Sequence, residues 1–175
     1  MRPDALLNRA NLLDARWQAG VPVDHASRIA IVRESGGYRL VASQAFSRGA
    51  LIFQIDGERS ATPTRWSVQV DTNIHVNVGP TSTLEEQIDR FPWRFMNHSC
   101  DPNARITGLD VIALRPIQEG HEVTFNYNTT ESDMASPFAC RCGSARCHGM
   151  IRGFAHLNRL DQQRLRPFLS PHLRP

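Results

Sequence analysis

The 175-residue sequence predicts a mainly β fold with flanking helices, on two observations. Between residues 29 and 79 the apolar residues fall in short β-branched or alternating runs: Ile29-Ala30-Ile31-Val32, Tyr38-Arg39-Leu40-Val41-Ala42, Leu51-Ile52-Phe53-Gln54-Ile55 and Trp66-Ser67-Val68-Gln69-Val70. Ser35-Gly36-Gly37, Ser47-Arg48-Gly49, Asp56-Gly57 and Asp71-Thr72-Asn73 punctuate these runs, so they read as strands of several small antiparallel sheets. Toward both ends of the chain the apolar spacing changes to that of a helix.

Leu6, Ala10, Leu13 and Trp17 recur on one helical face, and Gly20 with Pro22 supplies a stop. Residues 3–19 are therefore expected to form an amphipathic helix, packed on the core or making a weak dimer contact. Residues 84–88 predict a helical turn, and residues 111–114 and 122–127 return to strand character. The polar run 129–136 reads as a mobile connector. After it, Phe154, Leu157, Leu160, Leu165 and Phe168 predict a closing helix that Pro167 ends.

A content of 41% hydrophobic and 21% charged residues fits a soluble globular chain with one sizeable core. No apolar run reaches membrane-spanning length, and the N-terminus has no secretory signal pattern. A reducing compartment is expected, the bacterial cytoplasm first and the nucleus if the source is eukaryotic, where cysteines serve as metal ligands more often than as disulfides. The formal charge of +3 is scattered, so neither direct nucleic-acid binding nor membrane binding is expected. All twenty basic residues are arginine. A GC-rich genome explains this blandly.

The four cysteines occupy two places, Cys100 within Asn97-His98-Ser99-Cys100-Asp101-Pro102-Asn103, and the loop Cys140-Arg141-Cys142-Gly143-Ser144-Ala145-Arg146-Cys147. The loop offers three thiolates at ligand spacing, and Cys100 offers the fourth for a tetrahedral zinc site. Such a metal would staple a C-terminal flap onto the segment carrying Asn97 and His98. Arg141 and Arg146 stand where they offset the net charge of about −2 on four thiolates around a divalent cation. Two other readings are open: four separate reduced cysteines buried as small apolar residues, and a Cys100 nucleophile paired with His98, which leaves three cysteines unexplained.

In three stretches the chain resembles the SET-domain lysine methyltransferases with a zinc-binding post-SET segment. Residues 94–103 are similar to the family's Asn-His-Ser-Cys-x-Pro-Asn motif, residues 120–128 to its Glu-Leu-Thr-Phe-Asp-Tyr strand, and residues 140–149 to its Cys-x-Cys-Gly-x3-Cys-x-Gly ending. The resemblance implies a SET-type β-rich fold of small sheets with a C-terminal pseudoknot. It divides the chain into an N-terminal helical extension (1–26), a SET domain (27–131), a post-SET zinc segment (132–153) and a helical tail (154–175).

The implied activity is S-adenosylmethionine (SAM)-dependent methyl transfer to the ε-amine of lysine in a protein or peptide, by a monomer or weak dimer holding one structural Zn2+. Methylation of a small-molecule amine and a catalytically silent interaction module are the alternatives. The resemblance gives zinc to Cys100, Cys140, Cys142 and Cys147, and cofactor contacts to Gly37, Tyr38, Arg39, Asn97, His98, Tyr127 and Arg141. Arg39 replaces the second glycine of the family's Gly-x-Gly loop, and either reaches the cofactor carboxylate or points outward.

Tyr127 is the expected catalytic residue. Lysine, with a pKa of about 10.4, costs roughly 4–5 kcal/mol to deprotonate at pH 7, and a phenol can align the free amine with the methyl donor. Trp66 and Phe125 are expected as walls of the acceptor channel, Phe125 at the family's phenylalanine or tyrosine product switch. The stretch Phe53-Gln54-Ile55-Asp56-Gly57-Glu58 departs from the family's Glu-Tyr-Val-Gly-Glu, which leaves the acceptor side less defined.

Overall fold

The computed structural model describes residues 6–7, 28–34 and 37–174. Among these the strands are β1 (Leu6–Leu7), β2 (Ile29–Glu34), β3 (Gly37–Ala42), β4 (Leu51–Gln54), β5 (Glu58–Ser60), β6 (Val68–Asp71), β7 (Ile74–Asn77), β8 (Asn97–His98), β9 (Ala104–Thr107), β10 (Asp110–Ala113), β11 (Thr124–Phe125), β12 (Phe138–Ala139) and β13 (Met150–Ile151). They form small sheets, as expected: β1-β2-β3, β4-β10-β9, β5-β7-β6, and the pairs β8-β11 and β12-β13. The pair β8-β11 is parallel, with Thr124 beside Asn97 and Phe125 beside His98. Two segments distant in sequence thus meet where a C-terminal pseudoknot requires it.

Alternation along β3 explains how this strand anchors two clusters. Leu40 enters the main core with Phe46, Trp93, Ile106 and Val123, while Val41 joins Ala30 and Val32 in a second cluster. Helix α1 (Leu84–Arg90) is longer than the expected turn. Its start is a reciprocal cap: Glu86 N donates to Thr83 Oγ1 at 3.2 Å, and Thr83 N donates to Glu86 Oε2 at 2.9 Å. A 3-10 turn, Pro92–Phe95, then buries Trp93, whose indole N–H donates to the Asp56 carbonyl at 2.8 Å, and delivers the chain to β8.

Three expectations change. Leu6 and Leu7 are extended, and pair with Val32 and Ile31 of β2 rather than opening a helix. The unpaired backbone edge of β2 outcompetes a local helical period there; the rest of the expected helix lies outside the described residues. The closing helix is divided. Asn158 caps α2 (Arg159–Leu165) through its Oδ1, which accepts from Asp161 N at 2.9 Å, and 3-10 turns Phe154–His156 and Arg166–Phe168 flank it.

The polar run after Tyr127 is fixed at its start. Thr129, Thr130 and Glu131 are buried, and Thr130 N and Glu131 N both donate to the Tyr127 carbonyl, at 3.1 and 2.9 Å. The C-terminal tail clamps this turn: Ser170 N donates to the Thr129 carbonyl at 2.9 Å, and the His172 ring contacts the Thr130 carbonyl at 2.8 Å. Polar side chains that find backbone partners lose the solvated character their composition suggests.

Candidate active site

A cleft of about 1420 Å³ runs between the β8-β11 pair and the cysteine loop. Gly37 and Tyr38 line it, with Asn97, His98, Tyr127 and Arg141, and with both expected channel residues, Trp66 and Phe125. Arg39 does not line it. Successive side chains on a strand face opposite sides, and Tyr38 takes the cleft side, its ring edge-on to Phe95 at 5.4 Å.

The Asn97 amide donates to the Tyr38 carbonyl at 3.0 Å and to Glu122 Oε1 at 2.8 Å. Its side chain thereby ties β8 to β3 and to Glu122. Asn103 completes the frame, donating to the Glu122 carbonyl at 2.7 Å and accepting from Thr124 N at 2.9 Å. At Gly37, with φ 141°, nothing lies within 4 Å of where a Cβ would stand, so backbone is open to the cleft.

His98 joins two parts of the site. Its Nδ1 accepts from Tyr127 N at 3.2 Å, so the neutral ring carries its proton on Nε2, which lies 3.2 Å from Cys100 Sγ. Burial, helped by His148, lowers its pKa to about 4 and keeps the ring neutral at pH 7. Its face packs against Tyr127 at 5.1 Å and Phe138 at 5.7 Å.

The Tyr127 hydroxyl donates to the Met96 carbonyl at 2.8 Å, and its ring lies 4.6 Å from that of Phe125. Burial raises the phenol pKa, with Arg94 opposing and Glu122 and Glu131 adding to the rise. The hydroxyl is therefore a neutral dipole at working pH.

The sulfur atoms of Cys100, Cys140, Cys142 and Cys147 all lie within 4.8 Å of one another, with Cys100 and Cys140 4.0 Å apart. Metal–sulfur bonds of about 2.3 Å in a tetrahedron separate sulfurs by about 3.8 Å, so this donor set fits a tetrahedral metal ion. Backbone N–H groups face the sulfurs, His148 N to Cys100 at 3.4 Å and Gly149 N to Cys147 at 3.4 Å. Burial pushes the Cys100 thiol up and Cys140 to about 11, while Cys142, against its burial, is drawn down to about 7 by the backbone at Cys100 and Ser144. A bound cation is what lets all four ionise together.

Two features of the cleft were not legible in sequence. Trp66 is 48% exposed and has two guanidinium groups over its ring, Arg94 Cζ 3.6 Å and Arg65 Cζ 4.5 Å from its centroid. Glu131, from the run expected to be mobile, is buried and lines the cleft. Its Oε1 accepts from Gln69 N at 2.7 Å, and its Oε2 lies 3.8 Å from His75 Nε2. Burial raises the Glu131 pKa to about 7 against the Gln69 and Thr130 hydrogen bonds.

The SET domain family model matches residues 37–128, more than half of the chain. The chain belongs to the SET domain family. Among curated relatives, Methyltransferase flvH of Aspergillus flavus is 35% identical over 107 residues, covering 59% of this chain and 57% of that protein. A histone-lysine N-methyltransferase, H3 lysine-36 specific, of Cryptococcus neoformans is 30% identical over 138 residues, covering 70% of this SET protein but 16% of that one. The chain thus spans only part of each. A crystal structure of KRYPTONITE shares the fold, with a TM-score of 0.50 and 19% identity over 67% of this chain and 27% of that chain. No helix among the described residues is long and apolar enough to cross a membrane.

Proposed function

We propose that this SET protein is a SAM-dependent methyltransferase acting on the ε-amine of lysine in a protein or peptide. The observation that carries the reading is the convergence, in one cleft, of open backbone at Gly37, the Asn97-His98 strand and the Tyr127 phenol beside a four-thiol cluster. The KRYPTONITE crystal holds SAH, and the Cryptococcus relative is named for a histone lysine, which supports the same cofactor and acceptor class here.

Gly37, Tyr38, Asn97, His98 and Arg141 hold the cofactor in this reading, and Arg39, turned from the cleft, does not. When bound, SAM supplies an electrophilic methyl group on a sulfonium. The chain's own work is alignment and exclusion of water: the Tyr127 hydroxyl, fixed by Met96, and the Phe125 and Trp66 rings shape the path by which the amine approaches. One Zn2+ on the four cysteines holds the post-SET segment over the site. We take residues 27–131 as the SET domain, 132–153 as the zinc segment and 154–175 as the tail. Reduced thiols at ligand spacing support a reducing compartment, the bacterial cytoplasm.

Incubation with methyl-labelled SAM and histone H3, bulk cell protein or free L-lysine, followed by mass spectrometry, tests this. Methyl-lysine in a protein is the expected product. Label in free lysine alone would assign the site to small amines, and SAH binding without turnover on any acceptor would make the chain an interaction module.

A further inference from the structure

Among the described residues lining the cleft, Glu131 is the only carboxylate, against the guanidinium groups of Arg65, Arg94 and Arg141. It sits four residues beyond Tyr127 in one hydrogen-bonded turn, Glu131 N donating to the Tyr127 carbonyl at 2.9 Å, so both residues line the cleft from the same turn. The turn is braced against β6 on both sides of Glu131: Gln69 N donates to Glu131 Oε1 at 2.7 Å, and Ser132 N donates to Gln69 Oε1 at 2.9 Å. Among the described residues no arginine forms an ion pair with Glu131. Its hydrogen bonds come from neutral groups, Gln69 N and Thr130, and its Oε2 lies 3.8 Å from the His75 ring. Burial, with His172 adding, lowers the His75 pKa, so this imidazole stays neutral at pH 7 and brings no balancing charge.

A buried carboxylate braced in this way, short of a cation and on a residue that lines the cleft, is suited to a cationic ligand. We propose that Glu131 binds the incoming ammonium of the acceptor and takes the proton that must leave before the nitrogen can be methylated. The inference rests on the methyltransferase reading above. In the step, an N–H bond of R–NH3+ breaks and an O–H bond forms on Glu131, leaving R–NH2 and a neutral carboxylic acid. The freed nitrogen lone pair makes the new N–CH3 bond as the CH3–S bond breaks, with its electron pair kept by sulfur. The methylated ammonium departs and the Glu131 proton passes to water.

Burial places this carboxylate near the working pH, where a general base is most effective. The other groups facing it leave that role intact. His75 on β7 is held toward the neutral state, and Tyr127 stays a neutral phenol.

E131Q preserves shape and an acceptor for Gln69 N. Methyl transfer from SAM to histone H3, or to free L-lysine if that is the substrate, is measured from pH 6 to 10, with SAH affinity by calorimetry. E131Q is expected to lower kcat/KM about a hundredfold at pH 7, and less than about tenfold at pH 10, where solvent deprotonates the amine. SAH affinity is expected to stay within about threefold, with E131D recovering part of the loss. An E131Q rate close to wild type at pH 7 overturns the inference, and so does an equal loss at every pH. A parallel fall in SAH affinity instead assigns the carboxylate to the cofactor's own ammonium, and also overturns it. Should E131Q not fold, the wild-type profile decides: log kcat/KM must break near pH 7, and an unbroken unit slope from pH 6 to 9 overturns the inference. A wild type that methylates no acceptor removes the methyltransferase reading itself, a separate failure.

Discussion

On the part of the cleft that carries Asn97, His98 and Tyr127, the polar side chains are committed to backbone, carboxylate or thiol partners: Asn97 to the Tyr38 carbonyl and the Glu122 carboxylate, His98 to Tyr127 N and Cys100, Tyr127 to the Met96 carbonyl. On the part formed by residues 64–68 and Glu131, Trp66 lies half-exposed with two arginines at its ring, and Glu131 is held by Gln69 N and Thr130 with no cation beside it among the described residues. The first part is finished without a ligand, whereas the second is built to be completed by one. A site of the first kind tolerates little change and is spelled by local motifs. The second kind sets what is accepted, and its residues carry no motif.

The strongest way to break this contrast is to remove the staple that holds the finished part. Cys142→Ser takes away one thiolate of four, and because structural zinc binding is folding free energy, transfer activity should be abolished. Elemental analysis should find one zinc per wild-type chain, and limited proteolysis of the variant should cut after about residue 133, with SAH bound more weakly. A C142S protein of full activity and unchanged protease resistance would mean that the thiols do not organise the site.

The unfinished part should reveal itself as a stability cost. Glu131 has a folded pKa of about 7 against an ordinary 4.5. The folded state therefore retains a proton between these values that the unfolded chain has lost. The Glu131 contribution to stability should be most favourable below about pH 4.5, fall as pH rises to about 7, and then level off. Relative to E131Q, the wild type should be about 3 kcal/mol less stable above pH 7 and show no such deficit near pH 4.5. Denaturant melts at both pH values check the sign, and a pH-independent difference would place the carboxylate in water.

Within the finished part, Tyr127→Phe deletes a hydroxyl without touching the ring contacts to Phe125 and His98. Methyl transfer should fall at least about tenfold, with SAH affinity within a few-fold, because alignment counts in the transition state more than in the ground state. Loss of the bond to the Met96 carbonyl should also cost about 1 kcal/mol of stability. Equal losses of turnover and SAH binding would instead make Tyr127 a wall of the cofactor pocket.

Legibility in the sequence follows the same division. Cys-x-Cys-x4-Cys is readable because ligand spacing is a local property, and the Asn97-His98 segment because its partners sit on a strand that names itself, residues 122–125. Strands β5, β7 and β9 escaped notice. They are only three or four residues long, and pairing rather than composition makes them strands. Glu131 was unreadable for a stronger reason. Thr129-Thr130-Glu131-Ser132 has the composition of a solvated loop, and what buries it comes from Gln69 and His75, more than fifty residues upstream, and from the tail at Ser170 and His172. The edge pairing of Leu6 and Leu7 with β2 is likewise a tertiary fact that a helical period conceals.

The finest test addresses the boundary between the two parts, at Phe125, which is buried on β11 with its ring 4.6 Å from Tyr127 and lines the cleft. A phenylalanine there offers no hydroxyl to hold a water or restrain a methylated nitrogen, so the amine can rotate and present its lone pair again after the first transfer. Wild type should therefore place two or three methyl groups on one amine. Phe125→Tyr adds a single oxygen in the space that rotation needs and the first transfer does not. The first-transfer rate should change by less than about threefold, and the products should shift to monomethyl. Both are read by mass spectrometry of a time course with SAM in excess. If the product limit is already one methyl in the wild type, then the space is set elsewhere, and the Arg65-Trp66-Arg94 cluster or Glu131 becomes the element to vary.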